Sequence, residues 1–134
     1  MGKTKVLLDS NIFISALGWN GKPRVIFEKC LHGELELVTS ASQLDELMRV
    51  MDYPKFKFTE EQKQTMLGII TAIATVVEIP NKLKVIVDDH DDDVILETAV
   101  VGNVDYIVSG DPHLLKLIEF GRIKIVTAND FLGI

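Results

Sequence analysis

The sequence predicts an α/β protein: a three-layer α/β/α sandwich around a central parallel sheet of about five strands. Three observations lead there. Val6-Leu7-Leu8 and Tyr106-Ile107-Val108 are apolar throughout, as strands buried on both faces are. Short strands of this kind alternate with helical stretches, the order of repeated βα units. The chain has 134 residues, 47% hydrophobic and 25% charged, which suits one domain over residues 1–134 with a core of its own.

Taken in order, Thr4 to Leu8 is the first strand. Asp9-Ser10-Asn11 ends it; all are helix N-cap types, and a helix then runs to Gly18. Trp19-Asn20-Gly21-Lys22 is a turn, and Pro23 opens a second helix with Val25, Ile26, Cys30 and Leu31 on its apolar face and Gly33 at its close. Glu34 to Thr39 alternates charged and apolar residues, a half-exposed second strand. Ser40 to Met51 is a third helix capped by Ser40 or Ser42, with Leu44, Leu47, Met48 and Met51 on one stripe. Tyr53-Pro54 ends it.

Thr59-Glu60-Glu61-Gln62 has the form of a capping box. The long helix behind it buries Met66, Leu67, Ile69, Ile70, Ile73 and Val77, and Val76 to Ile79 turns into a short strand before Pro80. Asn81 to Val87 is a connector. Val94 to Val101 is a helix stopped at Gly102-Asn103, followed by the strand Tyr106–Val108. Ser109-Gly110-Asp111-Pro112 then starts a helix from His113 to Glu119, stopped at Gly121. Ile123 to Val126 is the last strand, and Thr127 caps a final helix through Phe131.

Composition narrows the function classes. Prolines and glycines are scattered singly, so the chain is not of low complexity. No apolar run approaches membrane-spanning length, and the N-terminus lacks a signal-peptide apolar region. Gly2 is no myristoylation signal, because Val6 stands where Ser or Thr is required. The single cysteine, Cys30, excludes an internal disulfide and fits a reducing cytoplasm. A net charge of −6 argues against a nucleic-acid binder, unless several acids share one metal site.

The acids are arranged for such a site. Asp88-Asp89-His90-Asp91-Asp92-Asp93 packs five carboxylates into six residues ahead of an apolar helix, an arrangement costly to hold without cations. Asp9 and Asp111 each follow a predicted central strand, and parallel strands place their C-termini at one edge of the sheet. Asp92, at the positive end of its helix, reaches that edge if the helix packs beside the fourth strand. Glu46 joins from the third helix. Carboxylates without Cys or His at zinc-ligand spacing favour Mg²⁺ or Mn²⁺, and such a set suits metal-assisted hydrolysis of a phosphodiester.

Each acid alone has a plainer explanation. Asp9 and Asp111 serve as helix caps, Glu46 lies off the apolar stripe in solvent, and several of the aspartates form a solvated helix start. The recurrence at three junctions is what favours a site. Asp88 and Asp91 are expected in solvent. His90 and His113 are expected in loops with no ligand role, and His32 near a helix C-terminus. Trp19 beside the basic Lys22-Pro23-Arg24 reads as a packed aromatic, with contact to RNA as the alternative. An EF-hand fails, because Val94 and Val100 stand at its glycine and glutamate positions.

These residues resemble the PIN-domain nuclease family along nearly the whole chain. Val6-Leu7-Leu8-Asp9-Ser10-Asn11-Ile12-Phe13 is similar to its opening strand and first acid. Leu44-Asp45-Glu46-Leu47, with Tyr53-Pro54-Lys55-Phe56 after it, resembles its glutamate helix. Asp89 to Ala99 resembles the third motif, and Tyr106 to Asp111 the closing strand and Thr/Ser-Gly-Asp turn. The nearest subgroup is the VapC-like toxins of toxin–antitoxin systems. The resemblance implies an endoribonuclease that cleaves single-stranded or structured RNA and leaves a 5′-phosphate, with Asp9, Glu46, Asp92 and Asp111 as catalytic ligands of Mg²⁺ or Mn²⁺. It implies Asp89 and Asp93 as auxiliary ligands, and Ser10 and Ser109 as hydrogen-bond partners of the carboxylates. Homodimers and a small antitoxin partner are implied as well. His90 departs from the pattern, where proline is frequent.

Two other readings compete. A non-catalytic PIN-like binding module would have no need to keep four acids crowded. A receiver-type phosphoacceptor wants an acidic pair after the first strand, whereas Asp9 is followed by Ser10 and Asn11.

Overall fold

The computed structural model describes residues 2–81, 83 and 90–133, with His90 through its backbone. The strands are β1 (Thr4–Leu8), β2 (Leu35–Ser40), β3 (Thr75–Val77), β4 (Tyr106–Val108), β5 (Glu119–Phe120) and β6 (Ile123–Val126). The helices are α1 (Ser10–Gly18), α2 (Lys22–Leu31), α3 (Ala41–Met51), α4 (Glu60–Ile73), α5 (His90–Gly102), α6 (Pro112–Leu115) and α7 (Ala128–Leu132). A 3-10 turn covers Pro54–Phe56.

The sheet order is β3-β2-β1-β4-β6-β5. All pairings are parallel except β5 with β6. The chain moves outward from β1 to β2 and β3 on one side, then crosses to β4 and β6 on the other. The seam between β1 and β4 is therefore a switch point of the sheet, where open α/β sheets form their crevice.

Alternation along β1 builds the three layers. Val6 and Leu8 face a core with Phe13, Ile26, Phe27, Leu47, Met51 and Ile70 from α1 to α4. Leu7, between them, faces the opposite core with Ile95, Leu96, Ala99 and Leu114 from α5 and α6. Both faces of the strand are covered, so every residue of its apolar run is buried.

Several local expectations hold. Ser40 caps α3 by accepting the Gln43 N–H at 3.1 Å. The capping box at α4 has both reciprocal bonds, Gln62 N–H to Thr59 Oγ1 at 3.0 Å and Thr59 N–H to Gln62 Oε1 at 2.8 Å. Thr127 caps α7 through the Asp130 N–H at 3.1 Å. Cys30 is a buried core residue whose thiol is pushed up to about 12 by burial, which makes it a poor nucleophile.

The expected three-layer α/β/α architecture holds, around a mostly parallel sheet of six strands in which only β5 runs antiparallel. Other expectations need correction. The helix expected from His113 to Glu119 ends at Leu115. Ile118 adopts φ 66°, and Glu119–Phe120 turns back through Gly121 (φ 61°) to pair with β6. On α2 the buried face is Ile26, Phe27 and Cys30, while Val25 and Leu31 are exposed. On α3 Met48 is exposed and Gln43 is wholly buried. Gln43 Nε2 donates to the Leu8 carbonyl at 2.5 Å and Thr39 Oγ1 donates to Gln43 Oε1 at 2.6 Å, so a polar side chain is satisfied inside the core. On α4 only Ile70 is fully buried, Ile69 is exposed, and Val77 belongs to β3. The helix packs on α3, and a narrow stripe suffices for that contact. The C-terminal half of β2 is buried because the strand lies inside the sheet, against the expectation of a half-exposed strand. The connector expected over residues 81–87 lies largely outside the described residues, as do Asp88 and Asp89. Among the described residues no helix is long and apolar enough to cross a membrane.

Candidate active site

Register brings the first acids together. Leu8 pairs with Val108, so the next residues, Asp9 and Ser109, leave β1 and β4 side by side at the same edge. Asp9 caps α1: its Oδ1 accepts the Ile12 N–H at 2.8 Å, and its own N–H reaches the Val108 carbonyl at 3.2 Å. Its Oδ2 accepts the hydroxyl of Ser109. That hydroxyl in turn accepts the Asp111 N–H at 2.9 Å, so one buried serine ties both strand-end acids to the seam. Asp111 caps α6 through the His113 N–H at 2.8 Å.

Asp9 is 5% exposed. Burial raises its carboxyl above the ordinary value. The hydrogen bonds from Ser109 and Ile12 oppose that rise, and the charge of Asp111 adds to it.

Asp92 arrives from the first turn of α5 and is also buried. Glu46 arrives from α3 and is half-buried, not solvated. Asp9, Glu46, Asp92 and Asp111 line one cavity of about 300 Å³ together with Ser10, Asn11, Val50, Tyr53, Lys55, Asp91 and Ile95. Asp91, expected in solvent, is half-exposed on the cavity wall and pairs with Arg49 at 3.3 Å. The buried Ser10 Oγ has no hydrogen-bond partner among the described residues and belongs to the same wall.

Two further placements bear on the expected ligands. Asp93 is buried but does not line the cavity, and one turn further on Glu97 is buried too. Asp89 lies outside the described residues. His113, expected in a loop, belongs to α6. Its Nδ1 stands 3.8 Å from Asp92 Oδ2 and 3.7 Å from Asp111 Oδ1. Ligand atoms of Asp92, Asp111 and His113 all lie within 4.8 Å of one another, a metal-compatible grouping among the described residues. The backbone of His90 likewise belongs to a helix, as the first residue of α5. The signal for His113 in the sequence was its place two residues after Asp111, inside the first turn that Asp111 caps.

The donor set fits a divalent cation. Hard carboxylate oxygens dominate it, an imidazole nitrogen adjoins them, and burial is the largest cause of the raised Asp9 pKa.

A mostly parallel sheet with helices on both faces, and acids gathered beyond its central strand ends, defines an α/β domain with an acidic cleft. The chain belongs to the PIN-domain family, whose model matches residues 5–113. An uncharacterized protein of Methanocaldococcus jannaschii is 29% identical over 97% of this chain and 90% of its own length. Among solved structures, VapBC2 from Rickettsia felis, bound to a DNA fragment from its promoter, matches with a TM-score of 0.63 at 16% identity. That match covers 91% of this chain and 97% of the other. FitAcB from Neisseria gonorrhoeae matches with a TM-score of 0.57 at 13% identity, over 92% and 97% of the two chains. At these identities the likeness is one of fold.

Proposed function

We propose that this chain is a metal-dependent endoribonuclease, which hydrolyses RNA phosphodiester bonds with Mg²⁺ or Mn²⁺ held by Asp9, Glu46, Asp92 and Asp111. The observation that carries this reading is the convergence of those acids, from four separate elements, on one cavity at the sheet's switch point. When bound, the cations would activate a water and hold the leaving oxygen. The chain's own groups prepare the site for them. Ser109 and the Ile12 N–H fix the Asp9 carboxylate, Asp111 is fixed by the His113 N–H, and the His113 ring adjoins Asp92 and Asp111. Asp93 and Glu97, away from the cavity, are left out of the ligand set.

The reading extends to a biological role: the toxin of a toxin–antitoxin pair, acting as a single PIN domain in a homodimer and silenced by a small antitoxin. The fold likeness to VapBC2 and FitAcB supports it.

The test uses Asp9→Asn and Asp92→Asn. Asn retains the capping oxygen at position 9, so the fold should survive. Both variants should lose Mn²⁺-dependent cleavage of RNA. Undiminished cleavage by both would reject the site. Calorimetric titration of the parent with Mn²⁺ separates the nuclease from a non-catalytic binding module, which should show no affinity above background.

A further inference from the structure

Behind the acid-lined cavity lies a set of buried polar side chains that the hydrolytic chemistry does not use. Thr39, Ser40, Gln43 and Thr98 are each 0% exposed. The pairing of β1 with β2 runs no further than Val6 against Leu37. Beyond it, Gln43 Nε2 donates to the Leu8 carbonyl at 2.5 Å. Thr39 Oγ1 donates to Gln43 Oε1 at 2.6 Å, so the threonine orients the amide with its nitrogen toward Leu8. Ser40, the cap of α3, shares a hydrogen bond of 2.8 Å with Thr98 of α5.

These bonds run between the elements that carry the acids. The Leu8 carbonyl belongs to the peptide that joins Leu8 to Asp9. The N–H of that same peptide reaches the Val108 carbonyl at 3.2 Å. The peptide is thus held on one side by β4 and on the other by a side chain of α3. Glu46 follows Gln43 by about one helical turn. One side chain therefore joins the backbone that bears Asp9 to the helix that bears Glu46, and both acids line the cavity. The Ser40–Thr98 bond ties that helix to α5, whose first turn bears Asp92.

Packing alone does not call for an amide at this position. A buried hydrogen bond contributes little net stability beside an apolar side chain of the same shape. Its distinct contribution is direction and length, and a metal site needs its ligands held within about 0.5 Å of the productive geometry.

We propose that Gln43 is a positioning residue of the acid-lined site: through the Leu8 carbonyl it sets Asp9 against Glu46 at the spacing a shared divalent cation requires. Thr39 acts through Gln43, by fixing the orientation of its amide. This rests on the metal-dependent reading above.

The experiment titrates Mn²⁺ into the parent, Gln43→Met and Thr39→Val by calorimetry, with urea unfolding of each. Met keeps the length of Gln43 without its hydrogen bonds. Gln43→Met should bind Mn²⁺ about tenfold more weakly, the loss expected when a group that orients a ligand is removed. Thr39→Val, which leaves the amide in place without its orienting donor, should weaken binding by a smaller factor. The control is Ile123→Val or Ile123→Ala, whichever matches the unfolding midpoint of Gln43→Met, since Ile123 lies in the opposite core. It should bind Mn²⁺ like the parent. Crystals of the metal-free parent and of Gln43→Met should show the Asp9 carboxylate displaced relative to Glu46. Unchanged affinity in Gln43→Met, or an equal loss in the control, overturns the inference. Where Gln43→Met does not fold, unchanged affinity in Thr39→Val overturns it. If the parent and Gln43→Met bind Mn²⁺ equally well, the positioning role fails and the metal-dependent reading stands. If the parent binds no Mn²⁺ while Asp9 moves relative to Glu46 in Gln43→Met, the metal-dependent reading fails and the positioning of the acids stands.

Discussion

Ser109 donates its hydroxyl to Asp9 across the seam between β1 and β4, joining residues 100 positions apart in sequence. The same oxygen accepts the Asp111 N–H, so the two strand-end acids share one buried anchor. The bond to Asp9 depends on the register that sets Leu8 against Val108, whereas the bond from Asp111 spans two residues and is local to the turn.

Ser109→Ala should therefore destabilise the fold. It removes a donor from a buried carboxylate and an acceptor from a backbone amide, at a cost of about 1–3 kcal/mol. Denaturant unfolding should show a lower midpoint with an unchanged slope. An unaltered midpoint would mean that the bond contributes nothing net.

Asp9 gives the metal-free protein a definite pH dependence. Burial is the largest cause of its raised pKa, the Asp111 charge adds to the rise, and bonds from Ser109 and Ile12 oppose it. A carboxyl raised in the folded state holds its proton more tightly there than in the unfolded chain. Its penalty on folding is absent below the ordinary carboxylate range, grows as pH rises toward the raised pKa, and is complete above it. Metal-free Asp9→Asn should gain stability relative to the parent over that window and keep the gain at neutral pH. Mn²⁺ should shrink the difference by supplying the missing charge to the parent. Parallel stability profiles for the two proteins would refute this account.

His113→Ala should lower Mn²⁺ affinity on the order of tenfold, the effect expected of a group that ligates or orients a metal site. The basis is the position of Nδ1, within 4 Å of carboxylate oxygens from both Asp92 and Asp111. Half the side chain is exposed, so the substitution should leave thermal stability nearly unchanged. Calorimetry and a melting curve on the same sample separate the two effects.

Two helical glycines should respond in opposite directions to alanine. A Cβ at Gly102 would stand 2.4 Å from Cγ1 of the buried Val38, where the end of α5 presses on β2. Gly102→Ala should cost about 1–3 kcal/mol. Gly68, inside α4, has nothing within 4 Å of such a Cβ. Gly68→Ala should stabilise by about 0.5–1 kcal/mol through the smaller entropy lost on folding. Urea unfolding of both variants provides the comparison.

Patterns that act over a few residues were legible without a structure. The capping box at Thr59, the caps at Ser40 and Thr127, and the buried runs of β1 and β4 all follow from neighbours in sequence. β5 was not legible, because Glu119-Phe120 becomes a strand only by lying against Ile123-Lys124 at the sheet margin. The buried Gln43 was hidden for a related reason: its partners are the Leu8 carbonyl and Thr39, and the first of these belongs to another strand.

The sequence by itself determined the βα order, the α/β class and the acids worth testing, since hydrophobic period and residue type are local properties. Tertiary structure decided which acids meet. It put Asp9, Glu46, Asp92 and Asp111 around one cavity, left Asp93 away from it, and brought His113 and Tyr53 to its edges. The physical reason is parallel-strand register. Only when β1 and β4 pair, and α3 and α5 pack on β2 and on each other, do acids distant along the chain line one cavity.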